Sequence, residues 1–181
     1  MIVIGKPIFE ALMTSGSLFG VVQNIIEPML ANCKEQWEQH IRTNFDTEGS
    51  LVGGWHTLAD STKKLREKLG YATEPILNMR GVLKKSAVVE SSSWLPRASV
   101  SLIWGGKRRG GALKTWNGKS LTGLHHYGWV GYNPLTKETF SVPRRELYNE
   151  TTLKSIFENT VEKPFNRAIE QYAFSILGGK K

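Results

Sequence analysis

Residues 22–45 read VQNIIEPMLANCKEQWEQHIRTNF, and this stretch sets the first element of the fold. Its apolar residues recur at intervals of three and four, the spacing of one face of an amphipathic helix. Pro28 lies within the pattern, so we expect the regular helix to begin near this proline or to be kinked there. The predicted apolar face consists of Val22, Ile25, Met29, Cys33, Trp37, Ile41 and Phe45.

Two shorter helical patterns follow. The first covers residues 55–69, and Gly70 is expected to end it. Pro75 can open a further short helix that Gly81 closes, because proline suits a first helical turn and glycine the position after the last. A strand is then predicted to start at Val82.

The second half of the chain changes character. Short runs rich in β-branched and aromatic residues predict strands at 87–89, 100–104, 127–130 and 139–142. A last helical pattern extends from Leu153 to Ile176, with one interruption at Pro164. This order predicts an α+β fold, in which long N-terminal and C-terminal helices pack on a small antiparallel sheet of three to four strands.

Length and composition indicate one globular domain over residues 1–181. Within it we interpret residues 1–20 as a candidate extended arm and residues 105–123 as a flexible basic loop. The lone cysteine, Cys33, excludes an intramolecular disulfide. We expect no signal peptide, and no apolar run reaches the roughly 18 residues of a transmembrane helix, so a membrane is not an expected partner.

Positive charge is concentrated in the middle of the chain. The formal net charge is +8, and between Glu90 and Glu138 there are seven cations and no acidic residue. Glycine pairs flank three of these cations, so the segment is interpreted either as a solvated hairpin loop or as an arm that faces DNA or a protein partner. The candidate contact residues are Lys107, Arg108, Arg109, Lys114 and Lys119.

Aromatic residues are interleaved with this charge, as in proteins that stack the bases of single strands, although such residues more often form a sheet core or an oligomer interface. The sequence therefore leaves open a sequence-independent nucleic-acid-binding module.

Catalytic motifs are missing from the sequence. Gly118-Lys119-Ser120 is not a phosphate loop, because Leu113 occupies the position of the first glycine and a strand is expected to follow. His125 and His126 are expected on a strand, where neighbours point to opposite faces and cannot share a metal. We predict no enzyme activity, no catalytic residue, no metal site and no cofactor.

Four short segments carry a more specific pattern, and they occur in a fixed order. They are Trp55-His56-Thr57-Leu58 with Thr62; Ile76-Leu77-Asn78 with Gly81, Leu83 and Ser86; His126-Tyr127-Gly128; and Val142-Pro143-Arg144-Arg145 with Leu147. In order and spacing the chain resembles the phage virion morphogenesis or tail completion proteins of long-tailed bacteriophages, a family that includes head-tail joining and tail terminator proteins.

Structural roles suit the motif residues. Trp55 and Leu58 would anchor a helix, Gly81 would turn it into the first strand, and Gly128 would let two backbones approach closely. The motif residues are Trp55, Leu58, Thr62, Leu77, Gly81, Leu83, Gly128, Pro143, Arg145 and Leu147.

The resemblance implies a virion protein at the neck or the top of the tail, assembled in the host cytoplasm. Its copies would form a ring, commonly a hexamer, through which genomic DNA passes. The implied partners are further copies of the chain, the tail tube, and neck or connector proteins.

Overall fold

Helix α1, Gly16–Asp46, is the first long element of the computed structural model. It begins twelve residues before Pro28 and continues through it, so the expected start near this proline is wrong. The buried face also differs at its beginning, where Ile26 and Leu30 are buried and Ile25 and Met29 are only half-buried. Ile25 with Met29 and Ile26 with Leu30 are both four residues apart, so either pair fits the spacing of one helix face. The structure describes residues 2–3, 16–74, 76–77, 82–93, 98–104, 121–133, 135 and 137–177.

The described elements alternate between helical and extended groups, and this confirms the α+β class. The helices are α1, the 3₁₀ turn Ser50–Val52, α2 (Asp60–Lys68), α3 (Val82–Ser86), α4 (Leu121–Tyr127), α5 (Glu150–Phe157), the π turn Glu158–Glu162 and α6 (Lys163–Leu177). The strands are β1 (Ile2–Val3), β2 (Ala87–Ser92), β3 (Ser99–Trp104), β4 (Trp129–Asn133) and β5 (Glu138–Val142).

The strands form two sheets instead of the single sheet that we expected. One sheet has the order β1-β3-β2, with β1 antiparallel to β3, and the other is the antiparallel hairpin β4-β5. In the hairpin Trp129 lies opposite Val142 and Tyr132 lies opposite Thr139.

Several predicted boundaries differ from the structure. Residues 54–59 are not helical, so Trp55 precedes α2 instead of lying within it. Val82 begins a short helix, and the strand starts at Ala87. Residues 121–127 form a helix, so the strand expected to follow Ser120 is wrong, and so is the strand placement of His125 and His126.

The predicted interruption near Pro164 is present as the π turn Glu158–Glu162. Proline has no N–H to donate to the carbonyl four residues earlier. The backbone hydrogen bonds before it therefore change locally from the α-helical to the π-helical pattern.

The chain divides into two compact units. Unit 1 comprises Met1–Glu38, Val89–Leu102 and Glu150–Lys181, and unit 2 comprises Gln39–Val88 and Ile103–Asn149. The single-domain expectation stays a prediction, since two compact units can belong to one domain. Of the candidate arm at residues 1–20, residues 16–20 belong to α1. Among the described helices, none has the length and apolarity needed to cross a membrane.

The two units bury different kinds of side chain. In unit 1 the buried residues are apolar, and Trp37 Nε1 donates to Leu153 O at 3.0 Å. Burial raises the pKa of the Cys33 thiol. In unit 2 four polar or charged residues are buried as well, and they are Asn44, Arg66, Thr122 and Arg145.

Candidate functional site

The cations proposed to contact DNA or a partner lie outside the described residues. They are Lys107, Arg108, Arg109, Lys114 and Lys119, and Gly81 lies outside as well. The motif residues that are described instead define a site in unit 2, around the connection between β5 and α5. We call residues 143–149 the connecting segment.

Arg145 ties the connecting segment to two other parts of unit 2. Its side chain is buried and donates from Nε to His56 O at 3.1 Å and from Nη2 to Thr57 O at 3.3 Å. Its backbone N–H donates to His125 O at 2.7 Å. The rigid fork of a guanidinium is well suited to holding successive carbonyls of an extended chain. Arg145 therefore joins the stretch before α2 and the end of α4 to the connecting segment.

The carbonyl oxygen of Glu146 accepts two side-chain hydrogen bonds. Asn44 Nδ2 on α1 donates at 3.1 Å, and Trp55 Nε1 donates at 2.8 Å. The indole packs edge-on against Phe45, with ring centroids 5.3 Å apart. It also fills the space that a side chain at Gly49 would need. Packing of the indole ring and the hydrogen bond from its N–H group thus both fix the position of Trp55.

Two imidazole rings accept hydrogen bonds from the backbone of the connecting segment. Leu147 N donates to His126 Nδ1 at 3.1 Å, and Asn149 N donates to His40 Nε2 at 3.4 Å. The ring of Tyr148 stacks on His126 at 4.6 Å between centroids. Burial lowers the pKa of His40, which favours the neutral ring that this bond requires.

Gly128 allows the backbone after α4 to pass close to the connecting segment. Its φ is +71°, and a Cβ at this position would lie 2.8 Å from Arg144 N and 3.0 Å from Val142 O. Any other residue would meet both the left-handed strain and the overlap. The close approach expected at Gly128 is therefore present.

Two buried guanidinium groups, those of Arg66 and Arg145, lie near each other in unit 2. Burial lowers the pKa of Arg66, and burial together with the charge of Arg66 lowers that of Arg145. Burial and the charge of Arg145 lower the pKa of His125 to about 4, so this ring is neutral at pH 7. His125 Nδ1 has no hydrogen-bond partner in the described part of the chain. Arg66 donates to the carbonyls of Ala72, Thr73 and Ile76.

The other motif residues take no part in the hydrogen bonds of the connecting segment. Leu83 is buried, Leu58, Leu77 and Pro143 are half-buried, and Thr62 is exposed in the first turn of α2. Our sequence reasoning missed His40 and Asn44. A usable signal was their spacing, because residues four apart share one helix face.

The hairpin β4-β5 presents an exposed apolar surface. Val130 is 71% exposed and Tyr132 59%, at alternate positions of β4. On the other face Trp129 packs edge-on against Phe140, with ring centroids 5.1 Å apart. The apolar surface of Val130 and Tyr132 is called the hairpin patch below.

The net charge of the chain belongs to unit 2. Unit 2 contains 16 Lys and Arg against 7 Asp and Glu, whereas unit 1 contains 8 against 9. The net charges are thus +9 and −1. A polyanion would be attracted to unit 2.

Searches of family models, of curated proteins and of solved structures find no match to this chain. In the described part of the chain, no three His, Cys, Asp or Glu side chains are grouped so as to hold a metal ion.

Proposed function

We propose that this chain is a structural virion protein of the phage head-tail interface, of the tail completion, tail terminator or neck type. Its copies form an oligomeric ring, a hexamer in the simplest case, through which DNA passes. The convergence of the motif residues carries this proposal. Arg145 and Leu147 belong to the connecting segment, and Trp55 and Gly128, from other parts of the sequence, lie directly against it.

The contacts of these residues support a structural role without a catalysed reaction. Arg145, Trp55 and Asn44 donate to backbone carbonyls, and His126 accepts from a backbone N–H. Such contacts fix the path of the chain. In this proposal the chain acts by binding its own copies, the tail tube and neck or connector proteins in the virion.

The hairpin patch supports an oligomeric state. Large exposed apolar patches are uncommon on monomeric proteins and often mark protein interfaces. A ring closed by one repeated contact leaves no copy of such a patch exposed. The patch thus fits a subunit whose neighbours cover it.

Native mass spectrometry of the purified chain, alone and with tail tubes, tests the proposal. We expect a discrete ring in one of the two samples and expect the chain among the proteins of purified tails. A chain that stays monomeric with and without tubes, and whose loss leaves tail attachment normal, would contradict the proposal.

A sequence-independent nucleic-acid-binding module is the second candidate, favoured by the charge of unit 2. Tyr127 and Tyr132 add two exposed rings on which bases can stack. This function predicts a monomer whose affinity for single-stranded DNA falls steeply with salt. Titrating the chain into a labelled oligonucleotide at several salt concentrations separates the candidates, since an assembly protein gives a ring with weak binding.

A further inference from the structure

All four histidines of the sequence contact the connecting segment. His56 and His125 do so through their carbonyl oxygens, which accept from Arg145. His126 and His40 do so through ring nitrogens, which accept from the backbone N–H groups of Leu147 and Asn149. The two kinds of contact respond differently to acid, because a carbonyl does not titrate in this range and an imidazole does.

An imidazole nitrogen that accepts a hydrogen bond carries no proton. When the ring is protonated, both nitrogens become donors. The nitrogen then faces the backbone N–H as a second donor, so the hydrogen bond is lost and a repulsive contact replaces it. The bonds at Leu147 and Asn149 therefore exist only while His126 and His40 are neutral.

We propose that His126 and His40 form a proton-sensitive latch, which holds the connecting segment while both rings are neutral and releases it when they are protonated. The proposal rests on the direction of the two hydrogen bonds and does not depend on the virion role. Because Arg145, Trp55 and Asn44 still hold residues 145 and 146, the release affects the end of the segment that precedes α5.

The charged residues of the connecting segment are Arg144, Arg145 and Glu146. Arg145 precedes both latch bonds in the sequence and has Arg66 as a charged neighbour. The carboxylate of Glu146 is paired with Arg144 at 2.5 Å. The rings of Tyr127 and Tyr148 pack on His126, with centroids 4.7 Å and 4.6 Å away. Residues three and four positions from each latch histidine on its own helix carry no charge.

His125 belongs to the same region but not to the latch. Its ring titrates near pH 4, below the range in which ordinary imidazoles change charge. An experiment between pH 7 and pH 5 thus leaves His125 neutral and reports on the latch.

The latch can be tested by hydrogen exchange at single amides in the full chain. Between pH 7 and pH 5, corrected for intrinsic exchange, we expect the protection of Leu147 and Asn149 to fall by about tenfold, because each amide loses its hydrogen bond. The amide of Cys33, in the buried part of α1, serves as the reference for global opening.

The matched variant is His40→Gln with His126→Asn. A glutamine oxygen can take the place of Nε2 and an asparagine oxygen that of Nδ1, so each amide keeps an acceptor that does not titrate. We expect this variant to keep its protection unchanged between pH 7 and pH 5. The latch proposal would be wrong if the variant lost as much protection at these amides as the wild-type chain, or if the wild-type chain lost none.

A measurement on the wild-type chain covers the case in which the variant does not fold. The ring nitrogens of His126 and His40 report protonation through their ¹⁵N shifts. Their titration midpoints should coincide with the loss of protection at Leu147 and Asn149, and midpoints that differ by a full pH unit would exclude the latch.

Discussion

Gly128 and Gly70 have the same backbone conformation in different surroundings. Their φ values are +71° and +70°, but a Cβ at Gly128 would overlap the backbone of Arg144, whereas nothing lies within 4 Å of one at Gly70. We expect Gly70→Ala to lower the free energy of unfolding by about 1 kcal/mol, the cost of left-handed strain. Gly128→Ala should lower it by about 3 kcal/mol, since overlap adds to strain. Urea denaturation measures both.

The difference between the two variants isolates the contact with the connecting segment. Equal losses in the two variants would mean that the backbone near Arg144 moves aside at no cost. The role assigned to Gly128 would then be wrong.

The buried His125 is expected to make the stability of unit 2 sensitive to acid. Its pKa is about 4 in the folded chain, and an ordinary imidazole pKa of about 6.5 applies after unfolding. The unfolded chain therefore binds the proton more readily, so this contribution is complete above pH 6.5 and is lost as the pH falls to 4. We expect a loss of up to about 3 kcal/mol over this range.

Denaturant unfolding at a series of pH values, on the wild-type chain and on His125→Gln, measures this contribution. The variant has no imidazole at position 125, so its stability should depend less on pH between 6.5 and 4. Identical pH dependence in both proteins would show that other groups determine the acid limit.

At the scale of single elements, the exposed apolar surface of the hairpin β4-β5 predicts a contact between subunits. We expect Val130→Lys with Tyr132→Lys to prevent ring formation, because two charges would be buried in the interface without partners. The stability of the isolated subunit should change little, since both side chains are mostly exposed. Native mass spectrometry and thermal unfolding are the two measurements.

The end of helix α2, with the residue that follows it, provides the matched control. Leu65 and Leu69 are 55% and 54% exposed, so Leu65→Lys with Leu69→Lys adds the same charge to another apolar surface. The ring should persist in this control. Loss of the ring in both variants would point to total charge as the cause, and persistence in both would remove the hairpin patch from the interface.

Elements stabilised by local pattern were predictable, and those stabilised by distant contacts were not. The spacing of apolar residues sufficed for α1, although it left the choice between Ile25 and Ile26 open. The helical reading of residues 55–59 was wrong because Trp55 is held by the Glu146 carbonyl, 91 positions away. Residues 121–126 were expected to lead into a strand predicted at 127–130, yet they belong to helix α4, where His126 contacts Leu147 and Tyr148.

The candidate site was predictable to a similar degree. The motif includes Trp55 and Arg145, and in the structure both make hydrogen bonds that involve the connecting segment. It gave no indication of His40 or Asn44, because a single polar residue in a helical pattern is ordinarily assigned to the solvent face. Their role follows from the connecting segment, which reaches them only in the folded chain.

At the scale of the whole molecule, the positive charge is distributed unevenly between the two units, and this affects how the chain would bind DNA. Unit 2 carries a net charge of +9, and its basic stretch includes Lys107, Arg108 and Arg109. If these three residues face DNA in a ring lumen, replacing all three by alanine should reduce the salt dependence of duplex binding. The logarithmic slope should fall by up to about 3, since each phosphate contact contributes about 0.9.

Lys154, Lys163 and Arg167 in unit 1 provide a control that removes the same charge from the other unit. If total charge alone attracted DNA, both triple variants would change the slope equally. If the basic stretch makes the contacts, the slope changes only when residues 107–109 are replaced. If the slope is unchanged in that variant and heads still join tails normally, residues 107–109 bind neither DNA nor a partner protein. The positive charge of unit 2 would then need another explanation.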